Sequence, residues 1–168
     1  MKRLVALVLA LMLILSLAGC NTQTNVPRDF SFALTWGCYG ISSYDSNTGT
    51  LIKTTDATNP DDYITHYELT DEDKEYFYNL LVALDVNSYP DIYNPHDCLH
   101  ITIPPSTLIL TVRVNGEVKT ITAENIAFAI EADNEKGQKF LSTCEAISNR
   151  LKSTDEWKVL PDYEVYYD

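Results

Sequence analysis

The residues best suited to chemistry in this chain lie in one short run, His96-Asp97-Cys98-Leu99-His100. If the run is extended, His96, Cys98 and His100 share one face, because side chains alternate along extended backbone with a period of two. Imidazole nitrogens and a thiolate suit zinc or copper, and His66 or Asp97 would add a ligand. An ordinary polar loop has the same composition. The run therefore supports two interpretations, a metal site and a plain polar loop.

A nucleophilic cysteine is a third interpretation of the same run. A histidine beside Cys98 supplies the base that activates a thiol, but a further group must orient that base. The sequence identifies no such group, and it contains no Gly-x-Ser-x-Gly, His-Glu-x-x-His, Cys-x-x-Cys or phosphate-binding glycine motif. We therefore predict a non-catalytic binding protein without a cofactor, with zinc or copper binding at His96, Cys98 and His100 as the alternative.

Tyrosine is the other distinctive residue type, with 11 copies, all after Cys20. The ring is apolar and the hydroxyl polar, so tyrosine suits surfaces that bind protein or glycan. Six copies crowd around the first predicted helix and the loop that follows it. They predict an interaction surface for a protein or a cell-envelope glycan, although half-buried rings at the core rim explain the pattern equally: Tyr63, Tyr67, Tyr76, Tyr78, Tyr89 and Tyr93.

The acidic charge restricts the class of partner. The chain has 24 Asp and Glu residues against 12 Lys and Arg residues, a formal net charge of −12. Such a surface repels nucleic acid, so we expect no nucleic-acid partner. Acidic residues cluster over residues 71–75, directly after Thr70. We predict that they are solvated carboxylates at a helix start, where the helix dipole favours negative charge, and not a cation site.

The first twenty residues have the layout of an export signal. Met1 to Arg3 is positive, Leu4 to Leu15 is an unbroken apolar run, and Leu17-Ala18-Gly19-Cys20 ends in small residues and a cysteine. The apolar run is shorter than the roughly 20 residues that a membrane-spanning helix needs. This arrangement resembles the lipobox of bacterial lipoproteins. The resemblance implies cleavage before Cys20, a covalent diacylglyceryl group on its thiol, and residence on the extracytoplasmic face of the cell membrane.

The same resemblance divides the chain into three parts. Residues 1–19 are the signal peptide, residues 20–28 are the lipidated cysteine and a polar tether, and residues 29–168 are a single globular domain. Cleavage removes Lys2 and Arg3, which leaves 10 basic residues and a formal charge of −14. A nine-residue tether reaches at most about 30 Å, so we expect the domain to sit close to the membrane.

Hydrophobic periodicity predicts an α+β fold, an antiparallel sheet of five to seven strands with two helices packed on one face. Alternation places Phe30, Phe32, Leu34 and Trp36 on one face of a first strand. Asn-Gly at 115–116 predicts a two-residue hairpin turn. The order of elements is similar to that of small bacterial lipoprotein domains of unknown function. Helical spacing predicts two buried helix faces, formed by Phe77, Leu80, Leu81 and Leu84 and by Phe140, Cys144, Ile147 and Leu151.

Two further expectations concern the connections. Residues 85–106 contain four prolines and predict a long irregular stretch. Cys38, Cys98 and Cys144 are odd in number, so at most one internal disulfide forms within a monomer, and its pair is undetermined.

Replacing Cys20 tests the lipid anchor. Cys20→Ala is expected to move the protein from the membrane fraction to the soluble fraction, because acyl chains and not the anionic domain provide the attachment. Cell fractionation followed by immunodetection measures this, with Cys38→Ala as the control that stays with the membrane. A Cys20→Ala protein that still sediments with membranes contradicts lipid anchoring.

Overall fold

A computed structural model of the chain describes residues 26–37, 42–54, 62–96, 106–124, 126, 132 and 134–162. Within this part the fold is α+β, with six strands, two long helices and one short helix. The strands are β1 (Ser31–Trp36), β2 (Ser42–Asp45), β3 (Thr50–Thr54), β4 (Asp62–His66), β5 (Thr107–Val114) and β6 (Glu117–Glu124). The helices are α1 (Asp71–Leu84), α2 (Glu135–Lys152) and α3 (Asp155–Lys158).

The strands form one open antiparallel sheet in the order β4-β3-β2-β1-β5-β6. β1 is central, and its Leu34 lies opposite Tyr44 of β2 and Leu110 of β5. The predicted hairpin is confirmed, since β5 and β6 pair along their full length around Asn115 and Gly116. Both turn residues have positive φ, 52° and 80°, as the type I′ turn requires.

One face of the sheet carries the hydrophobic core. Burial alternates along β1 and along β5, with the buried side chains on the face that α1 and α2 cover. The predicted helix faces are confirmed except for Leu80, which is only partly buried. The other face presents small and β-branched residues, among them Ala33, Thr35 and Thr111. A half-covered antiparallel sheet of this kind explains why the sequence alternates between apolar and polar residues.

The two long helices cross the sheet in opposite directions. Asp73 in the first turn of α1 pairs with Arg150 near the end of α2. At the other side of the sheet, the Tyr89 hydroxyl just beyond α1 donates to the carbonyl oxygen of Lys136 at the start of α2, at 3.0 Å. Each helix start therefore lies beside the end of the other helix, and α1 ends next to the hairpin end of β5.

Side-chain caps determine where these helices begin. Thr70 Oγ1 accepts the Asp73 N–H at 3.1 Å, and Asn134 Oδ1 accepts the Gly137 N–H at 2.8 Å, so each satisfies an otherwise unpaired backbone donor. α1 ends at Asp85, which has a left-handed φ of 58°. Asp is one of the few residues besides Gly and Asn that adopt this conformation readily.

The stretch predicted to be irregular, residues 85–106, is partly ordered. Val86–Ser88 forms a single 3-10 turn after α1. Beyond it, the Thr122 N–H donates to the Asp91 carbonyl at 2.7 Å, and the Tyr93 N–H donates to the Thr122 carbonyl at 2.9 Å. This segment therefore runs along the outer edge of β6 and satisfies part of that edge, which would otherwise present unpaired backbone groups.

Candidate functional site

The run with metal-binding chemistry is only partly described. His96 is 1% exposed, and its backbone N–H donates to Asn94 Oδ1 at 3.0 Å. Cys98 and His100 lie outside the described residues. In the described ranges, no three His, Cys, Asp or Glu side chains gather as a metal site would require. The zinc or copper hypothesis and the polar-loop alternative both stay predictions, and the structure adds that His96 is buried.

The segment directly before His96 approaches α2 more closely than any residue but glycine would permit. A Cβ atom on Gly137 would collide with the Pro95 carbonyl oxygen and lie 2.8 Å from the Cβ of Ala132. Gly137 itself is buried in the first turn of α2. The absence of a side chain at this position therefore lets the segment before His96 pack directly against the helix.

The cysteines fall into two groups. Cys144 is a free thiol, buried on the core face of α2. Burial raises the pKa of this thiol, which disfavours the reactive thiolate. Cys144 forms no disulfide in the structure, and the spacing argument that placed it in the core is confirmed. Cys20, Cys38 and Cys98 lie outside the described residues.

The six tyrosines occupy different settings. Tyr89 is 3% exposed, packs against the Phe140 ring, and has its pKa raised to about 12, chiefly by burial. Tyr67 is half-buried, and its hydroxyl donates to Asp73 at 2.6 Å. Tyr76 is exposed beneath the guanidinium of Arg150. Tyr63, Tyr78 and Tyr93 are half-buried. A tyrosine interaction surface stays a prediction, to which the buried Tyr89 ring cannot contribute.

Asp73 is the centre of a polar network that joins α1, α2 and the end of β4. Its Oδ1 accepts from Arg150 Nη2 at 2.7 Å and from Arg150 Nε at 2.9 Å. Its Oδ2 accepts from the hydroxyls of Thr70 and Tyr67, each at 2.6 Å. The carboxyl group is 2% exposed. The prediction that residues 71–75 are solvated carboxylates is therefore wrong for Asp73.

The pKa shifts in this network indicate that Asp73 has a structural role. Burial alone would raise the pKa of Asp73, but the hydrogen bonds from Thr70, Tyr67 and Arg150 outweigh it and lower the pKa below the usual 3.8. Burial and the bond to Asp73 also raise the pKa of Tyr67. The carboxylate remains ionised with both oxygens engaged. The arrangement therefore stabilises the helix pair, and neither carboxylate oxygen is left over for chemistry.

In the part of the chain that the structure describes, a cleft of about 150 Å³ with room for a ligand lies at the end of α1, and we call it the Phe30 cleft. Asp85, Val86 and Asn87 line the side where α1 ends. Val82 is 58% exposed there, although it is apolar. The remaining wall is apolar or aromatic, and comprises Phe30, Tyr78, Leu81, Val82, Val112 and Val114. This combination of an apolar wall with a few polar groups is typical of binding sites.

Hydrogen bonds to the Asp29 carboxylate hold the segment before β1 next to this cleft. Asp29 accepts the N–H of Gly116 at 2.6 Å and the N–H of Asn115 at 3.1 Å. The bond from Gly116 is the main reason that the pKa of Asp29 is lowered. Phe30 follows immediately, and its ring meets Tyr78 edge-on at a centroid distance of 5.2 Å. The chain therefore enters the domain beside the cleft.

Sequence reasoning placed Phe30 in the core of the first strand and did not identify the cleft. Phe30 instead precedes β1 and is half-buried. The sequence contained one sign of an unusual helix end at this cleft. α1 has no basic residue in its last turn, and its capping residue is an aspartate. Helix ends more often carry lysine, arginine or glycine.

The variant Asp73→Asn tests how much the Asp73 network stabilises the fold. We expect it to lower the free energy of unfolding by about 2 kcal/mol at pH 7, less than for a fully buried pair because Arg150 is 44% exposed. Because the pKa of Asp73 is lower in the folded state, its stabilisation is present above about pH 4 and is lost on further acidification. The difference between wild type and variant should therefore shrink by pH 3 in urea unfolding.

Asp71→Asn provides the matched control for that experiment. Asp71 lies in the same first turn but is exposed, with Lys74 at 3.8 Å, so its loss should cost about 0.5 kcal/mol or less. Equal destabilisation by the two variants would show that the Asp73 network stabilises the fold no more than an exposed ion pair does.

Comparisons of the chain with models of protein families and with curated proteins found no match. In the described part of the chain, no helix combines the length and the hydropathy that crossing a bilayer demands. Among the described residues, the Phe30 cleft therefore offers the clearest indication of function.

Proposed function

We propose that the protein is a lipid-anchored component of the extracytoplasmic membrane face, and that its domain binds a partner protein through the Phe30 cleft. The anchor rests on the lipobox resemblance of residues 1–20. The binding role rests on one observation, an apolar and aromatic cleft beside Asp29 and Phe30, which we infer to be the point where the tether joins the domain. A lipid on Cys20 holds that end, and with it the cleft, near the membrane surface.

The size of the cleft favours a protein partner over a small molecule. Pockets for small ligands usually enclose about 300–1,000 Å³, whereas this one provides about 150 Å³. One or two side chains of a partner fill such a volume, as the anchor residues of protein interfaces do. Exposed Val82 at its margin adds apolar surface that a partner would cover.

The chemistry of the wall agrees with this use. Tyr78 and Phe30 supply aromatic surface, which is enriched at protein interfaces and loses little conformational entropy on binding. Their edge-on contact orders both rings before any partner arrives. Preordered side chains increase the affinity for a partner, because binding does not have to immobilise them.

Site-specific photocrosslinking in cells tests this function. A photoreactive amino acid at Val82 is expected to form a discrete crosslinked product with one partner, because the partner covers this position. The control is the same amino acid at Val159, which is more exposed, at 78%, but lies in the chain after the short helix α3. Equal products at the two positions, or none at Val82, would contradict binding through the cleft.

A further inference from the structure

The wall of the Phe30 cleft suits a long aliphatic chain. Leu81, Val112 and Val114 provide apolar surface, and the Phe30 and Tyr78 rings stand at its side. Ring faces also attract cations, and aromatic sites that bind alkylammonium groups use this attraction. A ligand with an apolar stem and a cationic head would therefore find favourable contacts for both parts.

The end of α1 contributes negative charge to the same cleft. A helix of 14 residues carries a partial negative charge at its C-terminus, and basic residues in the last turn usually balance it. α1 has no basic residue in its last turn, and its capping residue, Asp85, is an exposed acidic residue among those that line the cleft. Two basic residues lie nearby. Arg113 on β5 alternates to the other face of the sheet from Val112, and the Lys136 ammonium donates to the Ser88 carbonyl at 2.6 Å, beyond the cap of α1.

We propose that the Phe30 cleft binds a lysine side chain of the partner protein, an inference that rests on the proposed function. The four methylenes lie along the apolar wall, and the ammonium meets Asp85 and the end of α1. Lysine fits better than arginine, because its stem has four methylenes against three and its ammonium is more compact than a guanidinium.

Titration of the purified full-length protein with two small probes tests the inference. The first probe is N-acetyl-lysine methylamide, and the second is the same compound with a methyl group in place of the ammonium. Backbone amide shifts of Val82, Asp85 and Asn87 report binding. We expect the lysine probe to bind about fivefold more tightly than the neutral probe, as expected for a carboxylate together with a helix end.

Asp85→Asn is the decisive variant, because asparagine keeps the size of the side chain and adopts the left-handed conformation as readily. It should reduce the preference for the lysine probe to less than about twofold. Glu72→Gln removes the same charge at the other end of α1 and should leave the preference unchanged. A preference that survives Asp85→Asn would overturn the proposal.

The proposed function and this inference fail in distinguishable ways. If the neutral probe binds to wild type as tightly as the lysine probe, the lysine assignment is overturned, while crosslinking at Val82 would still support a partner. If neither probe shifts the cleft amides, the lysine assignment is likewise overturned. If the lysine preference holds but Val82 forms no crosslink, the site is supported and the proposed partner role in cells fails.

Discussion

In the described part of the chain the hydrophobic core lies on one face of a six-stranded sheet, and this constraint arranges the other elements. Both long helices must lie on that face, and they cross it in opposite directions because α1 follows the edge strand β4 and α2 begins near the opposite edge. One helix end is thereby brought to the hairpin end of β5. The cleft is the space left between the last turn of α1, Phe30 and that hairpin end. Its location is thus a consequence of how the core is covered.

Charges that this arrangement buries are paired. Asp73 binds Arg150, and the nearly buried Lys53 donates to the Leu160 carbonyl at 3.3 Å beneath the Trp157 ring. Burying a charge without a partner would cost several kcal/mol, so each pair fixes the elements that carry it. Arg150 joins the two long helices, and Lys53 ties the segment after α3 to the sheet. Asp85 differs, because it is exposed at the cleft and its side chain has negative charge to offer a ligand.

The helices and strands could be predicted from local sequence, whereas the contacts between them could not. Alternation and the Asn-Gly turn predicted β1, β5 and β6, and helical spacing predicted the core faces of α1 and α2, because these signals depend on neighbouring residues. The bond between Asp73 and Arg150 joins residues 77 positions apart, and it forms only when the two helices pack together. The Pro95 backbone lies against α2 because Gly137 has no side chain, which composition cannot reveal. The cleft likewise depends on how three separated segments meet.

The central claim is that the lipid anchor holds the Phe30 cleft next to the membrane. Fluorescence quenching by spin-labelled lipid headgroups tests it most directly, with the lipidated protein in vesicles and one probe placed at Val82 or at Val159. The account predicts stronger quenching at Val82, because Asp29 and Phe30 bring the tether into the domain beside the cleft. Equal quenching at both positions, or stronger quenching at Val159, would contradict it.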